Sequence, residues 1–233
     1  MIRKIIVTGG DGRFAKELKK IKSHYNFIFR DKKQLDILSD KSIKKNLKKF
    51  KPDCVLHLAG LSRPMSLHDQ DISKSINLNI IGTCNLVKNC SKSKIKMIFL
   101  SSNYVYPGKK GNYKERDALL PWNNYGWSKL GAESAVQMYK NSLIIRACMT
   151  EKPFIHKFAF NDVKSNFIFH SDFAKIFIKL LNFKGIINLG GKSQTIYQFA
   201  KKYKKNVKKI KSKGQLPQKM DMSLKKLKHL KIT

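Results

Sequence analysis

The chain has 233 residues, with 49 lysines or arginines against 15 aspartates or glutamates and a formal net charge of +34. That length can bury one sizeable core with a small appendage, and no stretch approaches the roughly 18 apolar residues of a membrane span. The charge invites a nucleic-acid reading, yet 43 of the 49 basic residues are lysine, spread along the whole chain. Specific base and phosphate forks favour arginine, so no specific nucleic-acid partner is expected. Salt-sensitive attraction to polyanions remains, and such a charge would help to gather an anionic substrate.

In chain order, Ile2-Arg-Lys-Ile-Ile-Val7 is a short β-branched run that leads into Thr8-Gly9-Gly10-Asp11-Gly12-Arg13-Phe14-Ala15. A buried strand, a glycine-rich turn and an amphipathic helix (Phe14, Leu18, Ile21) open a dinucleotide-binding βαβ unit. Gly9 allows the tight turn, and Gly12 lets the backbone approach a pyrophosphate at the helix N-terminus. Ala15 stands where a third glycine is usual. Further strands are predicted at 27–29, 54–58, 95–100, 142–145 and 185–189. Helices are predicted at 12–22, 41–49, 70–90, 126–140 and 171–182, with a short one at 195–204. This alternation predicts an α/β fold, a doubly wound parallel sheet of Rossmann type. Residues 1–150 would carry the cofactor and catalytic groups, and 151–233 a small, interleaved substrate-binding portion. The last thirty residues, lysine-rich and broken by Pro217, are expected to be only partly ordered.

Cys54, Cys84, Cys90 and Cys148 form no C-x-x-C pair. They read as reduced, mostly buried thiols of a cytoplasmic protein whose N-terminus begins a strand rather than a signal peptide. No metal site is expected. Cofactor choice turns on the end of the second strand, where Arg30 follows Phe27-Ile-Phe29 and precedes Asp31. A carboxylate there favours NAD through the ribose 2′-hydroxyl, and an arginine accommodates a 2′-phosphate. NADP(H) is therefore favoured over NAD(H), with Arg13 as a second phosphate partner; the alternative for Arg30 is a surface charge.

Tyr125-Gly-Trp-Ser-Lys129 places a phenol and an ammonium four residues apart, on one face of a helix. A neighbouring cation stabilises phenolate, so such a tyrosine can exchange a proton near neutral pH.

These segments, with Leu35-Asp36-Ile37, Lys51-Pro-Asp53, Leu58-Ala59-Gly60, Asn79-Ile-Ile-Gly-Thr83 and Leu100-Ser-Ser-Asn-Tyr-Val-Tyr-Pro107, stand in the order of a known family. Ile168-Phe-His170 with Asp172, and Gly185-Ile-Ile-Asn-Leu-Gly190, continue the match. The chain resembles the extended short-chain dehydrogenase/reductases of the NAD-dependent epimerase/dehydratase group, most closely the dTDP-4-dehydrorhamnose reductase branch.

The resemblance implies roles. Ser102 would hydrogen-bond the substrate oxygen beside Tyr125, with Ser101 aimed the opposite way by strand alternation. Tyr125 would be the general acid. Lys129 would lower the Tyr125 pKa and hold the nicotinamide ribose, and Asn79 would maintain a water path to Lys129. Gly9, Gly12, Arg13, Phe14, Asp36, Ile37, Leu58, Ala59 and Gly60 would line the cofactor. Ser62, Arg63, Asn103 and Tyr104 would meet the substrate, with Arg63 on its diphosphate and further contacts between Tyr106 and Trp122.

The dehydratases of the group carry an Asp-Glu pair where Asn103 and Tyr104 stand, and the fucose-synthase-like members carry a cysteine where Asn103 stands. His156 and His170 are second acids or satisfied core residues, and Asp172 is expected to cap its helix. The implied function is NAD(P)H-dependent reduction of a 4-keto sugar nucleotide in surface polysaccharide synthesis. An epimerase of the same superfamily and a non-catalytic cofactor-binding regulatory subunit are the alternatives. A homodimer through helices 70–90 and 126–140 is implied by analogy. The short stretch after Arg146 leaves the sugar and its nucleotide open.

Overall fold

A computed structural model gives the fold, and its description covers residues 2–230. Six strands form one sheet: β1 (Lys4–Thr8), β2 (Asn26–Arg30), β3 (Cys54–His57), β4 (Lys96–Ser102), β5 (Ser142–Ala147) and β6 (Gly185–Leu189). All are parallel, in the order β6-β5-β4-β3-β1-β2. The chain leaves β1 towards one edge and returns past it to β3. This reversal opens a crevice beyond the carboxyl ends of β1 and β3, where doubly wound sheets bind ligands.

Six helices of seven or more residues cover the sheet and its far end: α1 (Arg13–Lys19), α2 (Asp40–Phe50), α3 (Gly82–Lys92), α4 (Asn124–Gln137), α5 (His170–Ile178) and α6 (Ile196–Tyr203). Strand alternation decides which helix packs where. Ile5 and Val7 of β1 face Phe14 and Leu18 of α1 and Phe173 and Phe177 of α5. Ile6, between them, faces Ile43 and Leu47 of α2, Leu86 of α3 and Ala132 of α4. Ile5, Ile6 and Val7 are all fully buried, which is why β1 reads as a continuous apolar run rather than an alternating one.

Three expectations need correction. The helix expected at 70–90 is broken into Ile72–Ser75, a π-helical turn Ile76–Ile81, and α3. A π-turn inserts one residue into the helical repeat and often marks a functional site; Asn79 lies inside it. The lysine-rich tail is packed rather than loose. Lys208–Ile210 pairs with Phe158–Phe160, Met220, Met222 and Leu227 are buried, and Lys225–His229 forms a short helix. The anchors are single apolar residues among lysines, too sparse to give a periodic signal, and residues 231–233 lie outside the described residues. Asp172 does not cap α5, whose N-cap is Phe169 without a side-chain bond; Asp172 instead pairs with Lys175 at 3.3 Å.

Residues 151–230 divide between the main sheet and a buried cluster of their own. They supply β6 and α5 to the main sheet, and the remainder gathers around Phe154, Val163, Phe199 and Met220.

Candidate active site at the sheet's carboxyl edge

The glycine loop sits on the crest of β1. Gly9 has φ +67°, and a Cβ there would lie 2.7 Å from the Ala59 backbone nitrogen, so glycine alone fits. The Leu58 and Ala59 amides both donate to Thr8 Oγ1 at 3.2 Å, fixing the 58–60 loop beside it. Arg30 follows on the next strand: its carbonyl accepts the Gly10 amide at 2.8 Å, and its guanidinium lies 4.2 Å from the Phe50 ring centroid. Its Nε is a buried donor with no partner. Leu35 and Ile37 are buried, while Asp36 turns its carboxylate to the Leu38 amide at 3.0 Å. A glycine cradle that no side chain can enter, and an orphan arginine donor beside it, fit a phosphorylated dinucleotide. Phe14 contributes no side chain to that space, because its ring packs edge-on to Phe173 at 5.1 Å and Phe177 at 5.6 Å.

The second half of the site is the start of α4. Asn123 caps the helix by accepting the Gly126 amide at 2.8 Å. A Cβ on Gly126 would sit 2.5 Å from the Tyr104 carbonyl oxygen, so glycine lets the helix begin hard against the crest of β4. The Tyr125 phenol lies beside Ser102, whose Oγ accepts the Tyr104 amide at 3.2 Å. Ser101 points the other way and donates to Glu133 at 2.7 Å. Burial raises the Tyr125 pKa, and the Ser102 bond with the Arg63 and Arg13 charges opposes it. The positive charges acting on the phenol are thus these two arginines. Lys129 donates its ammonium to the Leu100 carbonyl at 2.8 Å, 4.0 Å from the Phe99 ring centroid. The stem is half-buried but the ammonium is enclosed, which lowers its pKa to about 7 against the pull of Glu133.

Asn79 is fully engaged. Its Nδ2 donates to the Leu61 carbonyl at 2.9 Å and to Ser128 Oγ at 2.8 Å, and its Oδ1 accepts the Leu61 amide at 2.7 Å. It clamps the 58–63 loop to α4. Behind it lies a network with no sequence signal. Thr83 donates to the Asn79 carbonyl at 2.6 Å and so accepts from His57 Nε2 at 3.0 Å. His57 Nδ1 then accepts from Thr8 Oγ1 at 2.8 Å. Burial first, then the Lys129 charge, depresses the His57 pKa to about 3, so this imidazole stays neutral.

Below Lys129, Glu133 forms a buried ion pair with Arg146, whose Nε donates at 3.1 Å. Arg146 Nη1 also bonds the Tyr106 hydroxyl at 2.7 Å, and that hydroxyl donates to Asn188 at 2.9 Å. Glu133 stands four residues after Lys129, and Arg146 interrupts an apolar strand; those were the available signals. At the mouth, Arg13 and Arg63 share Glu151, and Ser62 accepts from Arg13 at 3.1 Å.

The aromatic wall runs from His68 through Tyr125 and Tyr104 to Trp122, with ring centroids 5.1, 5.5 and 5.2 Å apart. Asn103 is turned away from the crevice. It is buried, and its Nδ2 reaches the Met220 carbonyl at 3.3 Å. His156 is exposed and packs on Phe154 at 5.4 Å. His170 lies among Arg13, Glu151 and Arg63, its pKa lowered chiefly by burial. All four cysteines are free; burial lifts Cys90 to about 12 and Cys148 to about 11, too high for a thiolate nucleophile.

Comparison with known proteins places this geometry. The chain is 29% identical over 143 residues to the methionine adenosyltransferase 2 subunit beta of Pongo abelii, covering 58% of this chain and 42% of that relative. It is 25% identical over 152 residues to a dTDP-4-dehydrorhamnose reductase of Aggregatibacter actinomycetemcomitans, covering 63% and 51%. The chain spans about half the length of the curated relatives it matches. Its fold matches the crystal structure of dTDP-4-dehydrorhamnose reductase from Bacillus anthracis str. Ames in complex with NADP, at TM-score 0.88 and 20% identity, over 99% of this chain and 93% of that one. Residues 3–150 match the model of the RmlD substrate binding domain, and the chain belongs to that family.

Proposed function

We propose that the chain is a NAD(P)H-dependent reductase of a 4-keto deoxysugar nucleotide, acting in surface polysaccharide synthesis in the cytoplasm. The observation that carries this reading is the Ser102–Tyr125 hydroxyl pair at the carboxyl edge of the sheet, with Lys129 one turn further on. Tyr125 gives its phenolic proton to the substrate oxygen as that oxygen gains charge. Ser102 holds the same oxygen, and the Arg13 and Arg63 charges, rather than the Lys129 ammonium expected from the sequence, favour the phenolate left behind. A nicotinamide bound over the Gly9 cradle supplies the hydride. Asn79 keeps the 58–63 loop and α4 in register for this transfer. With asparagine and tyrosine at 103 and 104, those two positions supply neither the carboxylate pair for elimination nor the thiol for epimerisation by proton abstraction. This favours plain reduction.

NADPH is the favoured cofactor, supported by the unpartnered Arg30 Nε beside the glycine loop. Matched titrations check this, and tighter binding of NADH would overturn it. Ser62, Arg63 and Tyr104 face the substrate. The chain pairs with a second copy through the helices that expose Ile72, Ile76, Ile81 and Trp127; sedimentation as a 26.9 kDa species at micromolar concentration would reject that.

The test is NADPH oxidation with dTDP-4-keto-6-deoxyhexoses, beside Tyr125→Phe. Turnover should fall by about 10²–10⁴ in the variant. A second reading, a cofactor-binding regulatory subunit, is favoured by the identity to methionine adenosyltransferase 2 subunit beta. Tight NADPH binding with no turnover in the unsubstituted chain would select it.

A further inference from the structure

Three segments distant in sequence meet at the mouth of the crevice: the first residue of α1, the loop after Gly60, and the stretch after β5. Arg13 Nη1 donates to Glu151 Oε1 at 2.9 Å, and its Nη2 to Ser62 Oγ at 3.1 Å. Arg63 Nη1 donates to Glu151 Oε2 at 3.2 Å. Each oxygen of one carboxylate is therefore held by a different guanidinium. Two guanidinium forks converging on one anion is how proteins hold phosphate. The fork lies close enough to the chemistry for both arginines to act on the Tyr125 phenol and on His170. The arginine side chains are 41% and 40% exposed, and Glu151 is 24% exposed, so the fork is open to solvent while its carboxylate is the more covered partner.

We propose that Arg13 and Arg63 form a single diphosphate site and that Glu151 is its built-in occupant, displaced when a ligand diphosphate binds. The proposal rests on the nucleotide-binding reading above and adds a residue that sets how strongly an anion must bind to occupy the site. A diphosphate carries more charge than a carboxylate and offers oxygens to both forks at once, so it can take the arginines from Glu151. A singly charged anion gains too little to do so. In a chain of net charge +34, which attracts anions of every kind, a resident carboxylate keeps the mouth from filling with them.

The diphosphate could belong to the dinucleotide or to the sugar nucleotide, and equilibrium titration separates the two. NADP⁺, dTDP and inorganic phosphate are titrated by calorimetry into the full chain and into Glu151→Gln, with Arg63→Gln in the Glu151→Gln background as the third protein. Glu151→Gln should bind one of the two diphosphates about fivefold tighter, the scale of one ion contact in a half-exposed site. Inorganic phosphate should gain by a similar factor wherever it binds the same arginines, because every ligand there must displace the same carboxylate. Arg63→Gln should erase the gain. Tightening of NADP⁺ assigns the site to the dinucleotide, and tightening of dTDP assigns it to the sugar nucleotide. Unchanged or weaker binding of both to Glu151→Gln overturns the proposal. Because binding is read without turnover, a chain that shows the gain but oxidises no NADPH rejects the reductase reading alone.

Discussion

Two arginine–glutamate contacts stand at opposite ends of one site, and they behave as opposites. Arg146 and Glu133, beneath Lys129, have side chains 2% and 0% exposed. Every polar arm of that pair is engaged: Ser101 and Arg146 on the carboxylate, Tyr106 and the Glu115 carbonyl on the guanidinium. Arg13, Arg63 and Glu151, at the mouth, are 24–41% exposed and reach one another across water-accessible space. A buried pair cannot exchange partners, because either ion left alone loses its solvation with nothing in return. An exposed one can, because water and ligands replace the lost contact at little penalty. The same residue types thus give a fixed floor and an exchangeable rim.

The largest test of that contrast is to break the floor from one side. Glu133→Gln or Arg146→Met alone should lower stability by about 3–5 kcal/mol in urea melts, while the paired variant Glu133→Leu with Arg146→Met should recover most of it. Single losses under about 1 kcal/mol would mean that the pair is no more fixed than the rim.

Lys129 lies between the two regions, and its expected effect is intermediate. Its folded pKa is about 7, below the unfolded value near 10.4, so the unfolded chain binds more protons between these values and stability climbs with pH across that window. Lys129→Met should therefore stabilise the fold below pH 7, by on the order of 2 kcal/mol, with the gain gone at the alkaline end. Melts of both proteins across pH 6–10 check the sign; parallel curves would show that the ammonium is not enclosed.

The smallest effect belongs to the rim. Glu151→Gln should change stability by less than about 1 kcal/mol, and by less still at high salt. A salt-independent loss of several kcal/mol would place Glu151 with the floor and erase the contrast.

The features legible before folding are those with a local cause. Gly9 must be glycine because its turn needs φ near +67°, and a run such as Ile5-Ile6-Val7 reads as a strand because each residue is stiff at Cβ. Tyr125 and Lys129 share a face because a helix has 3.6 residues per turn. Strand alternation likewise separates Ser101 from Ser102. The same local logic assigned Asp172 to a cap and 70–90 to one helix, and there it failed. Asp172 lies three residues past the N-cap, inside the first turn, where it pairs with Lys175, and the turn holding Asn79 gave up α-helical spacing.

What no local pattern encodes is which distant residues share an environment. His57, Thr8 and Thr83 are separate polar residues on the string; parallel pairing of Thr8 with His57 makes them one buried network. Asn103 looks free for substrate until the tail brings the Met220 carbonyl to it. Glu133 and Arg146 become a floor, and Arg13, Arg63 and Glu151 a rim, only when the sheet sets the depth at which each pair meets. Backbone geometry acts between neighbours in sequence and can be read from them. Burial and charge act between neighbours in space, and only the packed chain decides who those are.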